Sequence, residues 1–374
     1  MFKTDIVKEK CDKSALALNA LVPYYSMFPL EFPLKHLMQA KPGEWVLDPF
    51  CGRGTTNYAA RLLGLPTAAV DCNPVAVAIT EAKMVDVEAN LIVEECVKIL
   101  SNNITPVDIP SGKFWDWAYH TETLRELCRL REALLINSAT PVRKALRGII
   151  LGVLHGPRNK GTPSYLSNQM PRTYATKPAA AVRYWKRKEL KPVRIDFVEV
   201  VKRRAHHAYG NTPPAVENRV IFADVRELDK YNLPKNFYWV VTSPPYPGMR
   251  SYYPDQWLRN WFLGGKDAVE YNTEGQIGRF SGSSYIKELA LAWRSVAALC
   301  VPGARLIVRF GALPSVKCSP LELLSESFAE AGCGWRILSY ESAGSAGWGR
   351  RQAEQFNSKI KKAENEIDVI AVLE

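Results

Sequence analysis

The sequence predicts an α/β fold in which a doubly wound, largely parallel sheet is interrupted by a mostly helical insertion. Short apolar runs alternate with helical patterns from the start to about residue 84, and again from about residue 218 to the end. Such alternation indicates parallel strands joined by crossover helices. Because the middle of the chain breaks the alternation, we divide the chain into residues 1–84, 85–217 and 218–374.

The first part contains two strand–helix units. The run Trp45-Val46-Leu47 ends at Asp48 and is followed by a glycine-bearing turn and a helical pattern over Thr55–Leu63. A second run, Pro66 to Val70, ends at Asp71. The last part carries the other elements, which are strands over Val220–Phe222 and Tyr238–Val241, a helix over Ser284–Leu299, and strands over Arg305–Phe310, Trp335–Tyr340 and Ile367–Val372.

The middle part shows helix signals and one long loop. Thr123 and Glu126 have the spacing of a capping box, and Thr140-Pro141 has the form of a helix start with proline at the first helical position. Residues 156–176 are rich in Gly, Pro, Ser, Asn and Arg, which indicates a loop. Basic helical segments follow near 177–190 and 193–209.

The composition is that of a folded, basic protein. The 374 residues carry 49 Lys+Arg against 38 Asp+Glu, a formal charge of +11, and 47% of them are apolar, so global disorder and collagen-like repeats are excluded. No apolar run approaches the roughly 20 residues that span a bilayer. The N-terminus lacks the apolar stretch of a signal peptide, and the eight cysteines are scattered without a CxxC pair. We therefore expect a cytoplasmic protein with reduced thiols, no membrane contact and no metal site.

A glycine-bearing turn, DPFCGRGTT over residues 48–56, connects the first predicted strand to its helix. Glycines let the backbone approach a ligand closely, and a helix N-terminus favours a negatively charged group. The spacing matches neither a P-loop nor the GxGxxG fingerprint. Asp71, 17 residues after Gly54, is placed to accept hydrogen bonds from ribose hydroxyls. The turn therefore predicts a nucleotide-type ligand; the alternative is a plain turn with two capping aspartates.

The segment Thr242-Ser243-Pro244-Pro245-Tyr246 follows the predicted strand Tyr238–Val241. Adjacent prolines stiffen the chain, and their carbonyls remain as fixed acceptors beside the Ser243 hydroxyl. Acceptors aimed at the hydrogens of an exocyclic base amine favour its pyramidal, more nucleophilic form and stabilise the charge that develops on it. Tyr246 supplies an aromatic face for a base turned out of its stack. Alternatively, the segment is only a proline-rich strand exit.

DPFCGRGTT followed by VDCNP resembles the S-adenosylmethionine site of amino-group methyltransferases, which carry a D-x-F-x-G-x-G pattern. The resemblance implies a Rossmann-like methyltransferase sheet whose last strand is antiparallel. It also implies that the turn shapes the methionine pocket, that Asp71 holds the ribose, that Asp224 contacts the adenine amino group, and that an upstream FPLEFP motif packs against the methionine end. The candidate cofactor residues are Phe32, Asp48, Phe50, Gly52, Gly54, Thr55, Asp71, Asn73 and Asp224.

TSPPY resembles the catalytic motif of the same enzymes, and its serine form resembles chiefly those that methylate N4 of cytosine in DNA. The resemblance implies direct transfer of a methyl group from S-adenosylmethionine to the N4 amine of a flipped cytosine, with the catalytic residues Ser243, Pro244, Pro245 and Tyr246. Adenine-N6, RNA guanine-N2 or protein methylation by the same fold stay open as alternatives, as does a catalytically silent nucleic-acid-binding protein. Carbon-5 methylation of cytosine is disfavoured because the chain has no Pro-Cys pair to supply the nucleophile.

Positive charge is concentrated in the middle of the chain. Residues 156–210 hold 13 Lys+Arg against 3 Asp+Glu, which favours contacts to the phosphates of double-stranded DNA, with sequence-specific recognition expected. An insertion between Asp71 and Asp224 departs from the usual layouts of the family, so its part in recognition stays open, and a solvated charged face is the alternative. The candidate DNA-binding residues are Arg158, Lys160, Arg183, Lys186, Arg187, Lys188, Lys202, Arg203, Arg250 and Tyr252.

Overall fold

Seven strands form one sheet in the computed structural model of the protein, which describes residues 7, 9–24, 28–102, 104–157, 163–170, 177–247, 253–271, 276–277, 282–311, 319–343 and 366–374. In chain order the strands are β1 Trp45–Asp48, β2 Thr67–Asp71, β3 Asn218–Phe222, β4 Phe237–Thr242, β5 Cys300–Phe310, β6 Trp335–Ser342 and β7 Ile367–Leu373. Their order in the sheet is β3-β2-β1-β4-β5-β7-β6. Strands β1 to β5 pair in parallel, whereas β7 runs antiparallel to both β5 and β6. This topology confirms the predicted fold class, a doubly wound Rossmann-like methyltransferase sheet with an antiparallel last strand.

Helices cover both faces of the sheet and fill the segment between β2 and β3. In chain order they are α1 Lys13–Asn19, α2 Glu31–Leu37, α3 Thr55–Leu62, α4 Pro74–Met84, α5 Ala89–Ser101, α6 Lys113–Ala118, α7 Thr121–Ile136, α8 Pro141–Val153, α9 Pro178–Arg187, α10 Phe197–Tyr209, α11 Trp257–Phe262, α12 Gly282–Ala297 and α13 Pro320–Ala331. The 3₁₀ segments Val225–Lys230 and Tyr253–Gln256 follow β3 and precede α11. In the described part of residues 85–217 every regular element is a helix, which confirms the mostly helical insertion. None of the helices in the described ranges is long and apolar enough to cross a bilayer.

Alternating side chains of the central strands enter two separate hydrophobic clusters. Val46 and Val241 belong to the first cluster, which contains residues of α1 to α11, whereas Leu47 and Val240 belong to the second, which contains residues of α12 and α13. Successive side chains of a strand point to opposite faces of the sheet, so a strand covered by helices on both faces is apolar throughout. This burial explains why β1 is an uninterrupted apolar run in the sequence.

The inserted helices share the core of the sheet. Ile92 of α5, Leu127 of α7, Ile149 of α8 and Val201 of α10 lie in the same cluster as Tyr58 of α3. The insertion is therefore packed on one face of the sheet through apolar contacts, and the described part of it has no separate hydrophobic core.

Arg61 of α3 ties together the two ends of the insertion. Its guanidinium donates to the carbonyls of Lys83 and Val85, where the insertion begins, at 2.5 and 2.9 Å. It also donates to the carbonyls of Pro213 and of Pro214, the latter at 3.1 Å, where the chain returns towards β3. A single buried cation thus holds the points at which the helical part leaves and rejoins the sheet.

The predicted capping box at the start of α7 is wrong. The helix begins at Thr121, and its cap is His120, whose Nδ1 accepts from Glu122 N at 3.3 Å. Thr123 lies inside the helix, where its Oγ1 accepts a hydrogen bond from Ile195 N at 3.3 Å. The Thr123 hydroxyl, which the local sequence pattern assigned to a helix cap, instead binds a backbone N–H that is 72 residues away in the chain. At α8 the local pattern is confirmed, because Thr140 Oγ1 accepts from the N–H of the third helical residue at 3.3 Å.

Candidate active site

The carboxyl ends of β1, β2 and β4 bring three predicted elements to one edge of the sheet. β1 ends at Asp48, β2 at Asp71 and β4 at Thr242. Since β1 pairs in parallel with both of the other strands, these ends lie side by side. Ligands of open α/β sheets bind in the crevice beyond such ends. The glycine turn, Asp71 and the segment Ser243–Tyr246 therefore face a common crevice.

The turn after β1 adopts a conformation that favours glycine at two positions. Gly52 and Gly54 have φ angles of +51° and +70°, which other residues rarely adopt. A Cβ on Gly54 would lie 2.6 Å from Thr80 Oγ1, whereas one on Gly52 would meet only Tyr24, at 3.6 Å. Gly54 is the N-cap of α3 and offers no side-chain acceptor to the first N–H groups of that helix. The first N–H groups of α3 therefore receive no side-chain cap from the turn.

Asp71 is held in place by two backbone N–H groups. Gly52 N donates to Oδ2 at 2.8 Å, and Asn73 N donates to Oδ1 at 2.9 Å. Burial raises the pKa of Asp71 to about 6, although these two hydrogen bonds act to lower it. The side chain of Asn73 caps α4 by accepting from Val75 N at 3.0 Å, and its Nδ2 donates to Tyr24 Oη at 3.3 Å. The aspartate that the sequence predicts to hold a ribose is therefore fixed in one orientation.

Asp48 connects the glycine turn to the segment after β4. It is 1% exposed, and its Oδ1 accepts from Thr242 Oγ1 at 2.6 Å and from Phe50 N at 3.2 Å. Burial raises the pKa of Asp48 to about 7, against the opposing effect of the hydrogen bonds from Thr242 and Phe50. Thr56 in turn donates to Val241 O at 3.0 Å. Two hydrogen bonds therefore fix the position of the turn relative to the end of β4.

Ser243 and Pro244 present two acceptors beside this connection. Among the described residues, none donates a hydrogen bond to Ser243 Oγ or to Pro244 O. The Pro245 carbonyl, by contrast, accepts from Tyr285 Oη at 2.8 Å. Tyr285 is fully buried and stacks on the ring of Phe310, with 6.4 Å between the ring centroids. One proline carbonyl thus anchors the segment, and the other is left for a ligand.

Tyr246 is packed against the end of β5. Its ring is 8% exposed, lies edge-on to Phe310 with centroids 5.7 Å apart, and its hydroxyl donates to Glu366 Oε1 at 2.8 Å. A Cβ on Gly311 would lie 3.0 Å from Tyr246 Cε2, so glycine at that position lets the ring seat here. Stacking of a target base on this ring stays a prediction.

Tyr285 and Glu366 have no signal in the sequence. They are 40 and 120 residues away from the residues whose atoms they bind, and neither belongs to a recognisable motif. Thr242 is the first letter of TSPPY, but only its 2.6 Å contact with Asp48 gives it a role. The supports of the candidate catalytic segment are therefore visible only in the folded chain.

Phe32 and Phe50, the two aromatic cofactor candidates, are placed differently. Phe50 lies in the glycine turn and contacts the ring of Trp293 edge-on, with centroids 6.3 Å apart. Phe32 is buried on α2, and the guanidinium of Arg309 lies over its ring at 4.1 Å. Arg309 is fixed in turn by two hydrogen bonds of 2.7 Å to the carboxylate of Asp368. Phe32 therefore lies against the carboxyl-end half of β5, and a contact to the methionine end stays a prediction.

Asp224 lies beside Asp71, but its carboxylate already binds an arginine of the protein. Ala223 N donates to Asp71 O at 3.1 Å, which places the end of β3 next to the end of β2. Both carboxylate oxygens of Asp224 accept from the guanidinium of Arg226, which also pairs with Glu288. Partial burial acts to raise the pKa of Asp224, but the hydrogen bonds from Arg226 outweigh it and lower the pKa overall. Any contact of this carboxylate with an adenine amino group must share it with Arg226.

The candidate DNA-binding residues of α9 are exposed. Arg183, Lys186 and Arg187 lie on the helix, Lys188 caps it, and all four are exposed. Trp185, in the middle of the same basic run, is fully buried and donates from Nε1 to Gln169 O at 2.6 Å. The charges of α9 thus form a solvent-facing side, while the tryptophan anchors the helix.

The remaining candidate DNA-binding residues divide into two groups. On α10, Lys202 is exposed, whereas Arg203 is half-buried, lies 3.5 Å from Glu199 and donates to the carbonyl of Pro163. Part of the charge of α10 is therefore used within the protein. The other predicted residues lie outside the described ranges, namely Arg158, Lys160, Arg250 and Tyr252.

An aromatic cluster connects α9 to α11, the helix that follows the candidate catalytic segment in the chain. The ring of Phe114 lies 5.7 Å from that of Trp185 and 4.8 Å from that of Trp257. The ring of Trp115 lies 4.5 Å from that of Trp261. Through these contacts the basic helix is fixed relative to α11.

Comparison with known proteins finds only distant structural similarity. No protein-family model matches the chain, and no curated protein sequence matches it. Among solved structures, the chain is similar to TehB from Haemophilus influenzae, with 8% identity and a TM-score of 0.35 over 92% of this chain, and it spans 62% of that chain. It is also similar to the rRNA methyltransferase aviRa from Streptomyces viridochromogenes, with 13% identity and a TM-score of 0.33 over 98% of this chain and 94% of that chain. Similarities this distant say nothing about the substrate.

Proposed function

We propose that the protein is a site-specific DNA methyltransferase that transfers a methyl group from S-adenosylmethionine to the N4 amine of a flipped cytosine. The observation that carries the proposal is the 2.6 Å hydrogen bond from Thr242 Oγ1 to Asp48 Oδ1. It holds the turn that would bind the cofactor against the segment whose acceptors would bind the target amine. Direct transfer depends on such a juxtaposition, because the reacting atoms must be held about 3–3.5 Å apart.

The residues of the crevice fit S-adenosylmethionine. Asp71, fixed by the N–H groups of Gly52 and Asn73, retains lone pairs that can accept from ribose hydroxyls. The first N–H groups of α3, which receive no side-chain acceptor from the turn, can donate to a negatively charged group of the cofactor. When bound, the cofactor supplies a methyl group that is already activated on a sulfonium.

Ser243 Oγ and Pro244 O would accept the two hydrogens of the target amine. Acceptors in these positions favour the nucleophilic form of the amine and stabilise the positive charge that develops on nitrogen. The cofactor, held at Asp71 and the glycine turn, would supply the methyl group and keep the electron pair of its C–S bond, and one amine proton would leave through the Ser243 hydroxyl to solvent. Tyr285 positions these acceptors, because its hydroxyl holds the next carbonyl along the chain.

The exposed side of α9 supports DNA as the substrate. Four exposed cations lie at one helix and its cap, and the cluster around Phe114 fixes that helix relative to α11. Cations that neutralise phosphates release counterions, so binding would weaken steeply as salt rises. The serine of the TSPPY segment favours cytosine N4 over the alternatives, in which Asp or Asn is the more frequent residue.

The test is methylation by the purified protein with labelled S-adenosylmethionine, followed by identification of the modified nucleoside. Duplex DNA, tRNA and rRNA serve as parallel substrates. We expect N4-methylcytosine in DNA, and a loss of at least 100-fold in rate for Ser243→Ala, whose removal of an acceptor acts on the charge formed during transfer. Ser101→Ala, at an exposed serine far along the chain from this segment, is the matched control and should keep the wild-type rate.

Other outcomes would contradict particular parts of the proposal. N6-methyladenine as the product would refute the assignment of the base. Incorporation into RNA but not into DNA would refute the assignment of the substrate. An unchanged rate for Ser243→Ala would refute the role of the hydroxyl.

A further inference from the structure

Arg53, in the middle of the glycine turn, is a buried cation that has no anionic partner in the described part of the chain. It is 7% exposed, and its Nε donates only a long hydrogen bond, 3.5 Å, to Thr55 Oγ1. Among the described residues, no carboxylate lies within 4 Å of its guanidinium, and burial alone shifts its pKa, to about 10. Arg53 is therefore charged at neutral pH, in surroundings that offer the charge no compensation.

The two terminal nitrogens of Arg53 remain available. They donate no hydrogen bond to a described residue, yet they are not among the nitrogen and oxygen atoms that are sealed from solvent. A guanidinium that is nine-tenths buried but keeps its terminal N–H groups accessible points into a crevice. Leaving such a charge unpaired costs several kcal/mol, which an anion in the crevice would offset.

The N-terminus of α3 adds to the positive potential around Arg53, and that potential also acts on a buried neighbour, Lys83. Helix α3 begins at Thr55, and its first N–H groups receive no side-chain acceptor, so the positive end of its dipole faces the turn. Lys83 of α4 is fully buried, and its Nζ donates to Asn19 Oδ1 at 3.0 Å. Burial lowers the pKa of Lys83 well below its usual range, and the nearby charge of Arg53 adds to that effect.

The acidic residues of the crevice do not pair with Arg53. Asp71 is held by the N–H groups of Gly52 and Asn73, Asp48 is turned towards Thr242, and neither carboxylate accepts a hydrogen bond from the guanidinium, whose Nε donates to Thr55. The missing partner of Arg53 is therefore a group of the ligand itself.

We propose that Arg53 binds the carboxylate at the amino-acid end of S-adenosylmethionine, and that this contact makes the site select cofactors that carry the carboxylate. The inference rests on the proposed function. Arg53 stands between Gly52, whose N–H holds the candidate ribose ligand Asp71, and the first residue of α3. A nucleoside held at Asp71 therefore leaves its amino-acid end to the turn and the helix N-terminus. The planar fork of a guanidinium matches a carboxylate with two parallel hydrogen bonds.

The experiment measures equilibrium binding by calorimetry, with the full chain and without nucleic acid. S-adenosylmethionine is compared with decarboxylated S-adenosylmethionine, which keeps the sulfonium and the nucleoside but lacks the carboxylate. We expect the wild type to bind the complete cofactor roughly 10- to 100-fold more tightly, the range of one or two charge-assisted hydrogen bonds. In Arg53→Gln this preference should fall to about threefold or less, and Arg53→Lys should keep part of it. Arg219→Gln, at an exposed arginine on edge strand β3, is the matched control and should keep the whole preference.

A thermal melt of each ligand-free variant separates binding from folding. Because the charge of Arg53 is uncompensated, Arg53→Gln should melt at or above the wild-type temperature, whereas a structural role would lower the melting temperature. Equal weakening of both ligands by Arg53→Gln, or weakening of neither, overturns the inference while leaving the proposed function intact. Failure of the wild type to bind either compound overturns both proposals.

Discussion

The free energy of unfolding should decrease as pH rises towards neutrality, and we expect the buried carboxyl of Asp48 to cause this decrease. Burial raises the pKa of this carboxyl to about 7 from an ordinary 3.8. Between those values the folded chain holds a proton that the unfolded chain releases, so the free energy of unfolding decreases as pH rises through this window. A difference of about three pH units, at about 1.4 kcal/mol each, corresponds to on the order of 4 kcal/mol for Asp48.

The variant Asp48→Asn isolates this effect. The hydrogen bonds from Thr242 and Phe50 both end on Oδ1, an atom that asparagine keeps. The new Nδ2 group replaces Oδ2 and can donate to Thr56 Oγ1, whose own proton is given to Val241 O. Asp71 would be a poorer choice, because each of its oxygens accepts a different N–H group and an amide would lose one of them.

The measurement is urea unfolding of both proteins, followed by tryptophan fluorescence, at several pH values from 4.5 to 8. We expect the variant to gain on the wild type as pH rises, until its midpoint is higher by about 1 M, taking a slope of about 3–4 kcal/mol/M for a chain of this size. A gap that stays constant from pH 5 to 8, or one that closes with rising pH, would refute the reasoning.

Asp224→Asn is the control of opposite sign. Partial burial raises the pKa of Asp224, but the hydrogen bonds from Arg226 lower it overall. Its contribution to stability is therefore present at neutral pH and is lost as pH falls through the acid range. This variant should be less stable than the wild type at pH 7, and the difference should shrink towards pH 4.

Three further predictions concern the supports of the site. Tyr285→Phe should lower kcat for methyl transfer about tenfold with KM for the cofactor unchanged, because Pro245 O loses a hydrogen bond worth about 1–1.5 kcal/mol; an equal rise in KM in steady-state kinetics would contradict a positioning role. Gly54→Ala should destabilise the chain by at least about 1–2 kcal/mol because of the φ of +70° at this position, and the new methyl group should also collide with Thr80. In urea unfolding, the double variant Gly54→Ala/Thr80→Ala should recover only the part of the loss that is due to the collision. Arg61→Met should cost about 3–5 kcal/mol and direct the first cuts of limited proteolysis into residues 85–217, whose ends the guanidinium holds; cuts spread evenly over the chain would contradict that role.

Much of the fold can be predicted from the sequence because its determinants are local. The uninterrupted apolar runs of β1 and β4 follow from burial on both faces of a parallel sheet. Glycines occur in the turn because single residues there have positive φ angles. The start of α8 follows from one hydroxyl and one proline. Each of these constraints acts within a few residues, so the pattern of residues records it directly.

Local patterns fail where a distant group competes for the same atoms. The hydroxyl of Thr123 has the spacing of a cap and instead binds Ile195 N. Trp185 lies in a run of basic residues, yet it is buried against Phe114, which in turn packs on Trp257. At both positions a contact with a residue far away in the sequence decides the structure, and the local sequence pattern does not.

The sequence by itself determined the class of sheet, the glycine turn after β1 and the TSPPY segment after β4. Only the tertiary structure decided how these segments are held, with Asp48 bound to Thr242 across 194 residues and Tyr246 bound to Glu366 across 120. The tertiary structure also left the charge of Arg53 buried with no carboxylate of the described residues beside it. The physical reason is that backbone conformation and periodic burial are properties of neighbouring residues, whereas hydrogen-bond partners and uncompensated charge depend on which distant groups the fold brings together.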